Sequence, residues 1–290
     1  MRVAVSSKRI LRLKPVLHDN QLLFITRLVA ALIVPVLTIA FVMLYLFPTY
    51  SDVLFAWAIK PSMTAMMLGA AYLGGAYYFT RVFNAQKWHR IKLGILPVTA
   101  FASFLGIATI LHWDKFTAGH PSFIMWAFLY LTLPLLLPLV WWLNRSADPK
   151  TLDTRDCYIS QNVQRFFAVL GSLLLVVSLV LLVVPDVLIG IWPWTLTPLT
   201  GRVVGAMFVL PGLVGIGIAR DKRWSAARII LQAQIFSMIL ILGAMFVSQS
   251  DFNWSQPSSW LFAFSMIALC VSLLGIYIST ERGIPRQNAP

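Results

Sequence analysis

The chain has 290 residues, of which 59% are hydrophobic and 11% are charged, and its formal net charge is +13. Soluble domains are about 45–50% apolar and about 25% charged. The composition therefore excludes a cytosolic enzyme, a disulfide scaffold and a disordered chain. It predicts a polytopic membrane protein.

Apolar runs of about 20 residues, long enough to cross the hydrocarbon core of a bilayer, recur along the whole chain. They lie at 28–47, 61–80, 91–111, 123–143, 166–184, 198–219, 226–247 and 258–280. The sequence shows no alternating strand pattern with turn signals. We therefore expect an all-α integral membrane protein with eight transmembrane helices.

Lys and Arg concentrate in those segments that a cytoplasmic amino terminus would leave on the cytoplasmic side. Only Lys60, Lys115 and Arg202 fall elsewhere. Both termini are therefore predicted to be cytoplasmic, with anionic lipid headgroups as partners of the basic face and no role in binding nucleic acid. The leader from Ser7 to Lys14 is either an amphipathic piece on the membrane surface or a solvated basic tail.

The second half of the chain matches the first at an offset of 136 or 137 residues. Matched positions include Trp57 and Trp194, Pro61 and Pro198, Asp114 and Asp251, and Trp88 and Trp224. A chance alternative exists, because Pro, Trp and Asp are common at membrane boundaries. Since the matches run in order through three loops, they favour two parallel four-helix repeats.

The predicted organisation has five parts: a basic cytoplasmic tail (1–27), a first repeat (28–143), a cytoplasmic linker (144–165), a second repeat (166–280) and a cytoplasmic tail (281–290). The linker is the most polar stretch of the chain and contains Asp148, Asp153 and Asp156. These acids suggest a metal site, but their mixture with basic residues favours a solvated linker.

The span interiors contain no ionisable side chain, because all ten acids and four histidines lie in loops or at span ends. This pattern argues against an ion-coupled carrier with a midplane carboxylate and against a catalytic triad. Gln232 and Gln234 in the seventh span are interpreted as interhelical hydrogen-bond partners. The second and sixth spans are rich in glycine and alanine, which predicts that these two helices pack near the pseudo-twofold axis of the two repeats.

The segment before the sixth span combines aromatic residues, prolines and one cation. Thr197 followed by Pro198 predicts a helix N-cap with proline at the first helical position. Trp192 and Trp194 are expected at headgroup depth. The string W-P-W-x-L-T-P-L-T-x-R, eleven residues ending at Arg202, resembles a segment of uncharacterised polytopic membrane proteins of bacteria. That family has no assigned activity, so the resemblance implies a bacterial inner-membrane location and no mechanism.

Arg202 is a cation in the first turn of a helix on the non-cytoplasmic side, where both the helix dipole and the positive-inside tendency disfavour it. It should therefore have a partner. One interpretation pairs it with Asp186, Asp251 or Asp52 to lock the outer loops. The other has it bind an anionic headgroup or ligand in a groove lined by Trp192 and Trp194.

Two histidines, His112 and His120, flank the outer loop between the third and fourth apolar runs. They are weak candidates for a metal or for the magnesium of a pigment, and ordinary interfacial histidines are the alternative. The sequence identifies no cofactor, and a pigment or quinone would have to come through neighbouring subunits.

Three classes of function remain open. The lack of buried charge and the short loops favour a non-catalytic subunit, scaffold or assembly factor of a larger membrane complex, with other membrane subunits as partners. The duplication and the prolines within spans favour a carrier or flippase for a lipophilic or uncharged substrate. A lipid-modifying enzyme would need an outer-face cluster of Arg202 and the aspartates.

Overall fold

The computed structural model describes residues 21–153 and 155–284. Within these ranges eight long helices form, each over one of the predicted apolar runs. They are α1 (Phe24–Phe41), α2 (Ser62–Asn84), α3 (Lys92–Leu111), α4 (Pro121–Asn144), α5 (Gln161–Val183), α6 (Pro198–Arg220), α7 (Trp224–Val247) and α8 (Pro257–Arg282). The all-α prediction is confirmed, while the predicted amphipathic leader lies outside the described residues.

Seven helices in the described part of the chain are long and apolar enough to cross a membrane, and α1 is counted there with its π-helical extension Val42–Leu46. The exception is α2, in which 14 of 23 residues are buried. Because neighbouring helices rather than lipid surround α2, its side chains can include Tyr72, Tyr77 and Tyr78. The structure thus confirms a helical membrane-type fold with seven candidate spans.

Four helices, α2, α3, α6 and α7, form the interior of the bundle. α2 packs against α1 and α7, whereas α6 packs against α5 and α3. The remaining helices lie outside, α4 against α3 and α8 against α7. α2 and α6 also contact each other, and each buries 14 of its 23 residues. Both glycine-rich helices therefore lie in the interior of the bundle, but each packs chiefly on other helices, α2 on α1 and α7 and α6 on α5 and α3. Their position near the pseudo-twofold axis stays a prediction.

Glycine permits the closest helix contacts. A Cβ added to Gly171 on α5 would lie 2.7 Å from the carbonyl oxygen of Gly212 on α6, and one added to Gly215 would lie 2.7 Å from that of Phe167. These distances are too short for any side chain, so α5 and α6 meet backbone against backbone. In a membrane such contact contributes dispersion energy that lipid would not supply.

The two ends of the bundle differ in composition. One end, here called the basic end, contains the last turns of α2, α4, α6 and α8 and the first turns of α1, α3, α5 and α7. Every described Lys and Arg lies there except Lys60, Lys115 and Arg202. The opposite end contains the short helices Ser51–Leu54 and Asp186–Ile189 and most of the interlocked aromatic rings.

Candidate functional site

Arg202 joins three helices at the end opposite the basic end. Its Nε donates to the carbonyl oxygen of Leu182 in the last turn of α5 at 3.0 Å, and its Nη1 lies 2.8 Å from Nε2 of His112, just beyond α3. Carbonyls in a last helical turn lack helical donors and carry partial negative charge, so they attract a cation. Arg202 therefore fastens the ends of α3 and α5 to the start of α6.

The expected ion pair between Arg202 and an aspartate does not form. No carboxylate in the described part of the chain is paired with Arg202. Asp251 instead accepts a hydrogen bond of 2.8 Å from the backbone N–H of Met63, at the start of α2. Asp186 is exposed at the first position of a short helix. The structure therefore does not bring these residues together as an enzyme site would require.

The two tryptophans of the motif belong to an aromatic cluster. Among the described residues, neither forms a hydrogen bond or a cation–π contact with Arg202. Trp194 is 2% exposed, and its Nε1 donates to Thr64 Oγ1 at 2.8 Å. The Trp192 ring packs at 5.6 Å from that of Trp194 and at 6.0 Å from that of Phe208. Their packing connects the segment before α6 to α2 and to the middle of the bundle.

His112 and His120 have separate roles. His120 Nδ1 accepts from the backbone N–H of Ser122 and caps α4. Burial lowers the pKa of His112, and the cation of Arg202 lowers it further, so the neutral ring accepts a hydrogen bond from Arg202 at neutral pH. Within residues 21–153 and 155–284 no group of three or more His, Cys, Asp or Glu is arranged to hold a metal.

Thr197 caps α6 as the sequence predicts. Its side chain accepts from the backbone N–H of Thr200, whose own side chain accepts from the backbone N–H of Thr197, and Pro198 occupies the first helical position. This capping box satisfies the first free N–H groups of α6.

The connection between α4 and α5 is not the solvated linker that the sequence predicts, because ion pairs hold it against the bundle. Asp148 and Arg223 have side chains only 5% and 6% exposed, and Arg223 Nη1 lies 2.8 Å from Asp148 Oδ1. Asp221 Oδ2 lies 2.7 Å from Arg223 Nη2 and 2.6 Å from Lys92 Nζ, which also reaches Asp148 at 2.7 Å. Two carboxylates and two cations thus alternate in one cluster, named here the ion-pair cluster.

The ion-pair cluster keeps both its carboxylates ionised. Burial alone would raise the pKa of Asp148, but hydrogen bonds from Arg223 and Lys92 outweigh it and hold that pKa well below its ordinary value. The same balance lowers the pKa of Asp221 to about 2. The cluster therefore fixes the α4–α5 connection to the starts of α3 and α7.

The other two acids of the connection also have partners. Asp153 lies 2.6 Å from Lys87 Nζ and 2.7 Å from Arg90 Nη2, before α3. Asp156 accepts from the backbone N–H of Ser225 at 2.8 Å, at the start of α7. All three acids of the predicted linker consequently bind the basic end of the bundle.

A cavity of about 130 Å³ lies among the interior helices and extends to α5 and α8. Residues from the two halves of the chain line it in pairs separated by 136 or 137 positions. These pairs are Ala71 and Phe208, Gly74 and Pro211, Tyr78 and Gly215, Val98 and Gln234, and Phe101 and Ser237. The cavity therefore lies between the halves, and its lining is mainly apolar.

The two glutamines of α7 behave differently. Gln232 accepts from Tyr77 on α2 at 2.9 Å and donates to Tyr277 on α8 at 2.7 Å, which confirms the predicted interhelical role. Gln234 lines the cavity, and its buried Nε2 has no hydrogen-bond partner among the described residues. A buried amide without an acceptor costs free energy, so Gln234 is the polar group to explain in this cavity.

Sequence reasoning misses the ion-pair cluster and the cavity for different reasons. Lys92, Asp148 and Asp221 are far apart in the chain, and only the packing of the basic end brings them together. A signal for the cavity does exist, because the repeat alignment places Gln234 against Val98 and Ser237 against Phe101. At both positions the second half has a polar residue where the first half has an apolar one.

No protein-family model matches this chain, and no curated protein or solved structure matches it significantly. The fold itself, with seven long apolar helices in the described residues and a buried ion pair at the basic end, is that of a helical polytopic membrane protein.

Proposed function

We propose that this protein binds an uncharged lipophilic molecule between its two halves and carries it within or across the membrane. This is the carrier or flippase class, one of the three that the sequence leaves open. The cavity between the halves is the observation that carries the proposal.

The size and lining of the cavity support an apolar ligand. Apolar cavities of about 150 Å³ hold a molecule the size of benzene. The lining contains no Lys, Arg, Asp, Glu or His and is dominated by Leu, Met, Phe and Gly. A ring or a hydrocarbon segment therefore fits, whereas an ion would lose its hydration without a compensating charge.

The surrounding helices offer a route and a means of movement. α5 and α8 both line the cavity, yet they do not pack closely against each other, so a ligand can enter between them from the lipid. Pro211 lies within α6 at the cavity and removes one helix hydrogen bond, which permits α6 to bend.

Gln234 supports a ligand that carries an acceptor oxygen. Its Nε2 is buried and unpaired among the described residues, and a carbonyl or hydroxyl oxygen in the cavity would satisfy it. We therefore expect the ligand to be an uncharged lipophile with one such oxygen near its ring or chain.

The test is to purify the protein from its membrane in a mild detergent and to analyse the solvent extract by mass spectrometry. Ala71→Leu adds bulk at the cavity lining and should lose the bound lipophile. Ala268→Leu adds the same bulk on the exposed face of α8 and should retain it. Equal extracts from both variants would contradict the proposal. Transfer of the identified molecule between reconstituted vesicles then distinguishes a carrier from a static binder.

A second candidate is a non-catalytic subunit, scaffold or assembly factor, with other membrane subunits as partners. The outer helices favour it: in the apolar windows of α1, α4, α5 and α8 only 28%, 33%, 22% and 22% of the residues are buried within the chain. Lipid or partner helices must cover the rest. Extraction as a large complex with stoichiometric partners would favour this candidate, and a monomer or homodimer would contradict it.

The architecture that we propose has eight spans, with α2 as the eighth, arranged as two parallel repeats with both termini cytoplasmic. Corresponding contacts in the two halves support the duplication. The rings of Trp57 and Phe116 lie 5.0 Å apart at 61°, and those of Trp194 and Phe252, at offsets of 137 and 136, lie 5.1 Å apart at 60°. Helix contacts also correspond. The packing of α1 on α2 in the first half matches that of α5 on α6 in the second, and the packing of α3 on α6 matches that of α7 on α2.

The orientation follows from the positive-inside tendency, because the basic end would face the cytoplasm. Single cysteines at exposed Lys60 and Lys222 test it. An impermeant maleimide added to intact cells should label Lys60→Cys and spare Lys222→Cys, and the reverse pattern would invert the topology. A bacterial inner membrane remains our proposed location, and it rests on the resemblance of the segment that ends at Arg202.

A further inference from the structure

A second concave site lies at the basic end, separate from the cavity between the halves. It is a groove of about 610 Å³ between α3, the end of α6 and the α4–α5 connection. Its floor is apolar and includes Leu93, Leu96, Pro97, Leu213, Ile216 and Gly217. No residue lines both sites, so this groove does not depend on the proposed function.

Cations surround the groove in excess over acids. Lys92 and Arg223 belong to the ion-pair cluster and are neutralised by its carboxylates. Lys150, Arg220 and Lys222 also line the groove, and their side chains form no ion pair within the described residues. Three exposed positive charges therefore stand beside an apolar floor.

The positions of these cations are well defined by the surrounding structure. Lys150 is two residues after Asp148, and its backbone N–H donates to Asp148 Oδ1 at 2.9 Å. Lys222 lies between Asp221 and Arg223, and its carbonyl oxygen accepts from the N–H of Ile159 at 2.8 Å. The ion-pair cluster thus fixes the backbone that carries two of the three unpaired cations.

The corresponding place in the other half of the chain lacks this charge. Positions 137 before Arg220 and 136 before Lys222 are occupied by Phe83 and Gln86. Each half has four basic residues in this loop region, but only in the second half do the cations without an ion pair line an apolar groove.

We propose that this groove binds one anionic phospholipid, with its phosphate among Lys150, Arg220 and Lys222 and one acyl chain along the apolar floor. Guanidinium and ammonium groups bind phosphate oxygens through charge-assisted hydrogen bonds. Trp141 and Tyr158 also line the groove, and aromatic rings of this kind favour the headgroup boundary of a membrane. A lipid satisfies both the cations and the floor, whereas free phosphate satisfies only the cations.

The test uses phosphatidylglycerol as the probe and counts bound molecules by native mass spectrometry of the full-length protein in detergent. The double variant Arg220→Gln with Lys222→Gln removes two groove cations. The matched control, Arg81→Gln with Arg282→Gln, removes two exposed cations of the basic end outside the groove. Wild type and control should bind one phosphatidylglycerol. The groove variant should bind it at least about tenfold more weakly, because two of the three cations that would hold the phosphate are lost.

Two further measurements separate the lipid from other anions. Gly217→Leu fills the floor without changing charge, and a Cβ there meets only Leu93 at 3.4 Å, so the variant should fold. It should lose phosphatidylglycerol, while phosphatidylcholine and millimolar inorganic phosphate should fail to displace that lipid from the wild type. Equal losses in the groove and control variants would overturn the site. Unchanged binding by Gly217→Leu, or displacement by phosphate, would overturn the lipid as its occupant.

Discussion

His89 Nε2 and Ser225 Oγ lie 3.1 Å apart, joining the turn before α3 to the start of α7. The two residues are 136 positions apart in the chain, the same offset that relates Trp88 to Trp224. Equivalent positions of two copies touch only near the axis that relates them. The contact is therefore the one expected if the proposed pseudo-twofold axis ran between α3 and α7 at the basic end.

The ion-pair cluster should be the most mutation-sensitive feature of the basic end. Asp148→Asn leaves Arg223, whose side chain is 6% exposed, without one of its two carboxylate partners. Removing one partner of a buried ion pair costs about 3–5 kcal/mol. We expect a large fall in melting temperature, measured in one detergent at pH 7. Asp186→Asn, at an exposed acid without such partners, is the control, and a similar fall in both variants would contradict this assignment.

Acid should destabilise the protein through the same carboxylates. The pKa of Asp221 is lowered to about 2 in the folded state, and that of Asp148 is lowered as well, whereas an unfolded aspartate titrates near 3.9. Their contribution is thus complete above about pH 4 and is lost as the pH falls from there towards 2. The melting temperature should decline over this interval, and the decline should be shallower in Asp148→Asn.

The interaction of Arg202 with His112 should be visible in the titration of the imidazole. Burial and then the adjacent cation lower the pKa of His112. In Arg202→Met the second cause disappears, so that pKa should rise, as followed by NMR of labelled histidine. An unchanged pKa of His112 in this variant would show that Arg202 and His112 are not in contact.

Arg202→Met should also lower the melting temperature, because the Leu182 carbonyl loses its donor. We expect about 1–3 kcal/mol for the loss of a hydrogen bond to a charged group.

The contact between α5 and α6 should require glycine. Gly171→Ala places a Cβ 2.7 Å from the Gly212 carbonyl oxygen, so the two helices must separate and the melting temperature should fall. Gly275 on α8 has nothing within 4 Å of such a Cβ, and Gly275→Ala should be neutral or stabilising because alanine favours a helix by about 1 kcal/mol. Equal effects at the two positions would mean that α5 and α6 do not approach so closely.

The matched tryptophans of the two halves, Trp57 and Trp194, should differ in how much their replacement destabilises the protein. Trp194 Nε1 donates to Thr64 Oγ1 at 2.8 Å, whereas the equally buried Nε1 of Trp57 has no partner among the described residues. Replacing either by phenylalanine removes a similar apolar area. Trp194→Phe also breaks a buried hydrogen bond, so it should be more destabilising than Trp57→Phe by about 1 kcal/mol. Thermal melts of the two variants in one detergent make the comparison.

The sequence by itself determined the helical membrane class, because runs of about 20 apolar residues allow few other structures. It also predicted the helix bounds closely and the cap at Thr197, since these depend on residues that are neighbours in one helix. α2 is not among the seven candidate spans of the described residues, because its tyrosines and glycines make it less apolar than the other long helices.

Only the tertiary structure decided which charges meet. Arg202 faces Leu182 and His112 rather than an aspartate, and Asp148 is buried against Arg223 instead of being solvated. These partners come from helices separated by up to 90 residues in the chain. Their choice depends on the angles and depths at which helices pack, which local periodicity does not encode. The cavity at Gln234 and the groove at Arg220 arise in the same way, from packing between the halves.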